Sequence, residues 1–180
     1  MKTSIFLSYP KPFTKQQEQF VDMLSKYLSE RGLEPRTLGV TDYDMDAPLK
    51  AIRRLMLESN GLLAIAFRRS YVETGVSKPQ SDINEKETDI SNFWLTSPYC
   101  HIEPAMAFQL GLPVLILREK GVLADGILEK GVLGTYMPEF SLENPFEEYF
   151  QSSEFLSLIG KWEGYVRTVV EKKGNPPQLF

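Results

Sequence analysis

"GLLAIAF", residues 61–67, is a seven-residue run without a charge, apolar at odd and even positions alike and short for a helix. A strand with one wet face alternates, whereas a run apolar on both faces belongs inside a sheet covered on both sides. The stretch therefore predicts a central parallel strand. That assignment dictates its surroundings, because parallel neighbours require right-handed crossovers and helices on each face.

Outward from this strand the chain supplies those parts. Residues 4–9, SIFLSY, form a second buried run that stops at Pro10 and Pro12. Thr14 followed by Gln17 is a capping-box pattern, and Phe20, Leu24, Tyr27, Leu28 and Arg31 recur at helical spacing until Gly32. EPRTLGV (34–40) reads as another strand, and the acidic loop DYDMDAP (42–48) precedes a helix with apolar positions at Leu49, Ile52 and Leu55 or Met56. From Arg68 to Thr96 the pattern becomes polar and aperiodic until its aromatic end, which predicts a long loop or mobile insertion at about 68–96. Regularity returns with a helix over 98–110, buried on most sides, then the strand PVLILRE (113–119). Glycines at 121, 126, 131 and 134 predict a short helix or turn, followed by a fifth strand near 135–137. A stripe of Phe155, Leu158, Ile159, Trp162, Val166, Val169 and Val170 marks a last helix over about 151–172.

The alternation predicts an α/β fold, a roughly five-stranded, mainly parallel sheet in one domain spanning 1–180. Ligands of such open sheets bind at the carboxyl ends of the strands. That edge collects Ser8 and Tyr9, the loop 41–47, Arg68 and Arg69, Arg118 and Glu119, and the loop entering the helix that carries Glu103.

Composition narrows the chemistry. The 180 residues are 42% hydrophobic, enough for a real core, and 20 Lys+Arg against 24 Asp+Glu give a net charge of -4. No basic block forms a phosphate-tracking stripe, so nucleic acid is not the expected partner. The first residues lack a signal-peptide core and no run reaches membrane-spanning length, which predicts a soluble cytoplasmic protein without membrane contact. There is no GxGxxG after a strand and no GxxxxGK[ST]. Cys100 and His101 are the lone cysteine and histidine; adjacent on a helix, they do not face each other, so neither a metal site nor a Cys–His nucleophile is expected. Ser8, Tyr9 and Pro10 end the first strand where a phospho-acceptor would need acids.

Glu103 then stands out within SPYCHIEPAMAF (97–108), amid Tyr99, Cys100, Ile102, Ala105, Met106, Ala107 and Phe108. As a first-turn acid it would be stabilised by the helix dipole, worth about 0.3–1 kcal/mol. Its apolar company suggests a second role, a desolvated carboxylate at the mouth of the sheet.

FLSY on the first strand, ESNGLLAIAF on the third, and SPYCHIEPAMAF together resemble the Toll and interleukin receptor (TIR) domain pattern, over most of residues 3–137. Ser97, Tyr99, Cys100 and Glu103 occupy the places of its S-x-W-C-x-x-E motif. Tyr99 stands where tryptophan is usual, and the 68–96 segment is longer than usual. The resemblance implies a flavodoxin-like TIR fold. It also implies an enzyme that cleaves the nicotinamide–ribose bond of NAD, as hydrolase or ADP-ribose cyclase, with Glu103 catalytic. NAD would be substrate, with no cofactor. A nucleotide signal in anti-phage defence, self-assembly, and a separate effector that reads the product are further implications. EPAMAFQLGLPVLIL also resembles nucleoside 2-deoxyribosyltransferases, which cleave N-glycosidic bonds as well, although no convincing D-x-G-T precedes the glutamate. A non-catalytic TIR adaptor is the third reading.

Around Glu103, each candidate for substrate binding has an ordinary alternative. Ser8 and Tyr9 face the site, or Tyr9 packs under Pro10. Asp42 and Tyr43 order a loop over the substrate, or belong to a solvated helix entry. Arg68 meets a pyrophosphate, or is surface charge. Trp94 stacks on a ring of the substrate, or anchors the long loop. Ser97 and Tyr99 enter through the motif alone.

Overall fold

The computed structural model describes residues 2–133, 136–143, 145–172 and 174–176. The elements follow as β1 (Thr3–Ser8), α1 (Lys15–Glu30), β2 (Leu33–Arg36), α2 (Pro48–Leu57), β3 (Leu62–Ala66), β4 (Ser70–Val72), β5 (Val76–Ser77), β6 (Thr88–Asp89), β7 (Phe93–Leu95), α3 (Tyr99–Gln109), β8 (Val114–Glu119), β9 (Glu139–Phe140) and α4 (Ser153–Glu171). Short 3-10 helices cover Gly126–Leu128 and Phe146–Gln151.

The main sheet has five parallel strands in the order β2-β1-β3-β8-β9, the flavodoxin-like order of a doubly wound fold. All five residues of β3 are buried, as its two-sided apolarity requires. Odd-numbered residues of the central strands, Ile5, Leu7, Leu63, Ile65, Leu115 and Leu117, pack on α1 and α4 through Phe20, Leu24, Phe155 and Trp162. Even-numbered Phe6, Leu62, Ala64, Ala66 and Ile116 pack on α2 and α3 through Ile52, Leu55, Met56, Cys100 and Ala107. Gly61 permits the first arrangement: a Cβ there would stand 2.6 Å from Cγ2 of Val166 on α4.

Helix ends follow local chemistry. The Thr14 side chain accepts the Gln17 N–H at 3.2 Å, while Gln17 Oε1 reaches back to the Phe13 N–H at 3.1 Å. That return bond falls one residue before the cap, a variant of the capping box. At the end of α3, Gly111 takes a φ of +74°, which a glycine adopts without strain.

Several expectations are corrected. Residues 68–96 are not a structureless loop but carry two short antiparallel pairs, β4 with β7 and β5 with β6, which make a ribbon. Its strands are two or three residues long and largely exposed, leaving no hydrophobic period to read. Its bends at Lys78, Gln80, Asn84 and Asn92 use non-glycine residues at positive φ, and Gly75 is the one glycine in the segment, so little of the usual punctuation is there to read. The fifth strand of the sheet lies at Glu139–Phe140 instead of 135–137; residue 135 is outside the described residues, and 136–137 precede the strand. Leu49 and Val170 are exposed, not core. Nor is α3 buried on most sides, since Tyr99, Ile102, Ala105, Phe108 and Gln109 face outward. Among the described residues no helix is long and apolar enough to cross a membrane.

Candidate active site

Ser97 starts the chain into α3. Its carbonyl accepts the Cys100 N–H at 2.9 Å, and its hydroxyl accepts the Tyr99 N–H at 3.3 Å. Glu103 therefore falls in the second turn and the first turn holds no acid, so the helix-dipole account of this residue does not apply. Cys100, Glu103, Pro104 and Ala107 form the buried stripe of the helix, and Glu103 is the acid on it. Pro104, which has no N–H, also denies the Cys100 carbonyl its helical partner.

The Glu103 side chain, 8% exposed, reaches the carboxyl end of β1. There the Ser8 hydroxyl, 3% exposed, donates to Glu103 Oε2 across 95 residues of sequence. Ser8 shares the parity of Phe6, which turns it to the face covered by α2 and α3. β1 lies between β2 and β3, where the sheet order reverses, the switch point at which ligands of open α/β sheets bind.

Burial pushes the Glu103 carboxyl up from 4.5 to about 7, and the Ser8 hydrogen bond pulls the other way. Such a group exchanges its proton near neutrality, and its anion sits in a poorly screened environment where a developing positive charge would be strongly stabilised. Burial likewise pushes the Cys100 thiol up to about 11. A thiol so protonated at neutral pH is no ready nucleophile.

The other candidates separate into those near this pair and those held elsewhere. Tyr9 packs against the core on the α1/α4 face, opposite Glu103, and lines a cavity of about 590 Å³ with Lys11, Asp22, Thr37 and Val40. Glu103 is not among that cavity's lining residues. Asp42 is engaged by Arg36 and by the Thr41 hydroxyl at 2.8 Å, which hold its carboxyl below the usual range against the effect of burial. Tyr43 is 78% exposed on the same loop. Arg68 donates through Nε to the Lys120 carbonyl at 2.6 Å and lies 5.7 Å over the Trp94 ring. Trp94 is the anchor of the ribbon: its N–H reaches the Gly121 carbonyl at 2.9 Å, its carbonyl accepts the Leu123 N–H at 2.8 Å, and its ring lies 5.1 Å from that of Tyr71. Tyr99 is 40% exposed at the start of α3. Ser8 is thus the candidate that meets Glu103 directly.

A second buried carboxylate, Glu119, occupies the same edge on the opposite face. It accepts the Arg68 backbone N–H at 2.8 Å and the Gln17 amide at 3.3 Å, which ties α1 to the ends of β3 and β8. The capping-box signal at Gln17 pointed to the helix start but not to this bridge. Among the described residues no three His, Cys, Asp or Glu gather as a metal site.

No family model and no curated protein matches the chain. Among solved structures it is similar to the Clostridium botulinum CMP N-glycosidase BcmB, at 20% identity and a TM-score of 0.46, over 83% of this chain and 96% of that one. It is also similar to the TIR domains of the activated Roq1 resistosome that recognises the pathogen effector XopQ, at 14% identity and a TM-score of 0.41, over 96% of this chain and 77% of that one. Neither likeness places a substrate or a catalytic residue on this chain.

Proposed function

We propose that the protein cleaves an N-glycosidic bond at a ribosyl carbon, with NAD as substrate and Glu103 as the catalytic carboxylate. The observation that carries this reading is Glu103 itself: buried, titrating near neutrality, and hydrogen-bonded to Ser8 at the switch point of a parallel sheet. Nicotinamide departs with the electron pair of the C–N bond and becomes a neutral ring, so no acid is needed for the leaving group. Positive charge grows on the ribose, and the Glu103 carboxylate stabilises it. Water then adds to the ribosyl carbon and loses its proton, giving ADP-ribose; attack by an atom of the same nucleotide gives a cyclic product instead. A nucleotide signal in anti-phage defence, self-assembly of the enzyme and an effector that reads the product belong to the same proposal and rest on the motif resemblance.

The EPAMAFQLGLPV pattern around Glu103 favours a second substrate class, nucleosides, through the same bond chemistry. One experiment separates the readings. Purified protein is incubated in parallel with NAD, CMP and deoxynucleosides, and products are resolved by chromatography with mass detection. Nicotinamide release from NAD that disappears in Glu103→Gln supports the first reading, and free base from CMP or a deoxynucleoside supports the second. No cleavage of any of them by the folded wild type rejects both and leaves an adaptor role.

A further inference from the structure

We propose that Ser8 is a positioning residue that holds the Glu103 carboxyl in one orientation, leaving Oε1 for the substrate; its catalytic meaning rests on the reading of Glu103 above. Ser8 is fixed by the sheet. It is the last residue of β1, paired in register with Ala64 of β3, so its hydroxyl is placed by backbone hydrogen bonds and not by a mobile loop. Both partners are almost fully buried, Ser8 at 3% and Glu103 at 8% exposure, which limits water as a competing donor. Their one side-chain bond joins Ser8 Oγ to Oε2.

The choice of a hydroxyl has a chemical consequence. An ammonium or amide N–H can only donate, so it holds a carboxylate but not the O–H of a carboxylic acid. A serine hydroxyl donates to the carboxylate and accepts from the protonated acid. Ser8 therefore keeps Glu103 oriented on both sides of its titration, which suits a group that gains and loses a proton near neutral pH. Few other polar groups compete for that control. On α3, Cys100 lies one turn before Glu103, and beyond β3 Arg69 acts on the Cys100 thiol. Among the described residues, α2, β8 and the 126–128 turn, which also pack on α3, bring no charged group that moves the Glu103 carboxyl.

The test is a titration of the Glu103 side-chain carboxyl by carbon NMR, with its signal assigned by its loss in Glu103→Gln. Removing the donor in Ser8→Ala raises the midpoint by roughly one pH unit. In Ser8→Thr, which keeps the hydroxyl on a residue suited to a strand, the midpoint returns toward that of the wild type. Where a cleavage activity is found, the lower limb of its pH profile moves with the midpoint in Ser8→Ala, and kcat falls by about tenfold. An unmoved midpoint in folded Ser8→Ala overturns the proposal, whatever Ser8→Thr does. A shifted midpoint in a protein that cleaves none of the substrates keeps the pairing and removes the catalytic reading, so the two failures are distinct.

Discussion

A carboxylate on the buried stripe of a helix lowers stability whenever it is charged, and Glu103 makes that cost measurable. Its carboxyl titrates near 4.5 in an unfolded chain and at about 7 in the folded one. The native state therefore binds the extra proton between these values. The stabilisation due to protonation is complete below pH 4.5 and is lost as pH rises through 7. Glu103→Gln removes this dependence: the variant matches the wild type in acid and is the more stable above pH 7, by something on the order of 2–3 kcal/mol. The dipole account of the residue predicts the opposite, a small loss. Denaturant midpoints of the two proteins at pH 4 and pH 8 decide between them. If Glu103 stabilises a ribosyl cation, the same substitution lowers turnover by about 10²- to 10³-fold, so the variant would be more stable and nearly inactive. Glu103 was legible in the sequence because an acid amid so many apolar neighbours is conspicuous. Its place in the helix was not, because an acid marks no helix start by itself: with α3 running from Tyr99, Glu103 lies beyond the first turn.

At the scale of elements, legibility followed the length and one-sidedness of the hydrophobic pattern. β1, β3, β8 and the long helices α1 and α4 declare themselves, since each carries an unbroken apolar run or stripe. The ribbon of β4 to β7 does not, because its order comes from contacts remote in sequence: Arg68 against Trp94, and Trp94 against the chain at Gly121 and Leu123. The Trp94 backbone and ring make an anchor's contacts, with the chain at Gly121 and Leu123 and with Tyr71 and Arg68. Trp94→Ala accordingly leaves the five-stranded sheet intact and loosens the ribbon. Amide exchange should accelerate over residues 70–95 while β1, β3 and β8 keep their protection. Unchanged exchange in the ribbon would show that the Trp94 ring is not its anchor and that the backbone bonds to Gly121 and Leu123 suffice. Tyr9 illustrates the converse limit: Ser8 and Tyr9 are neighbours at the end of β1, but alternation turns them to opposite faces, and of the two it is Ser8 that meets Glu103.

For the molecule as a whole, the sheet separates two jobs. The α1/α4 face is an aromatic core in which Phe20 stacks 4.2 Å from Phe140 and lies 5.0 Å from Phe150, whereas the α2/α3 face, to which Glu103 belongs, is mainly aliphatic, with Phe6 as its buried ring. A packing defect on the first face has the backbone layer of the sheet between it and the carboxyl; a defect on the second lies on the carboxyl's own side. Phe20→Leu should thus cost roughly 1–3 kcal/mol, lowering the thermal midpoint by several degrees, while the Glu103 titration stays where it is. Ile52→Ala, on the buried side of α2, opens a cavity on the Glu103 face at about 2–5 kcal/mol. Better access of water to that face would lower the energetic penalty on the anion, so its Glu103 midpoint should fall back toward 4.5. Thermal melts and carboxyl titrations of the two variants give the comparison. An equal displacement of Glu103 in both would mean that the faces are coupled through the sheet, and that a mutation anywhere in the core reaches the site.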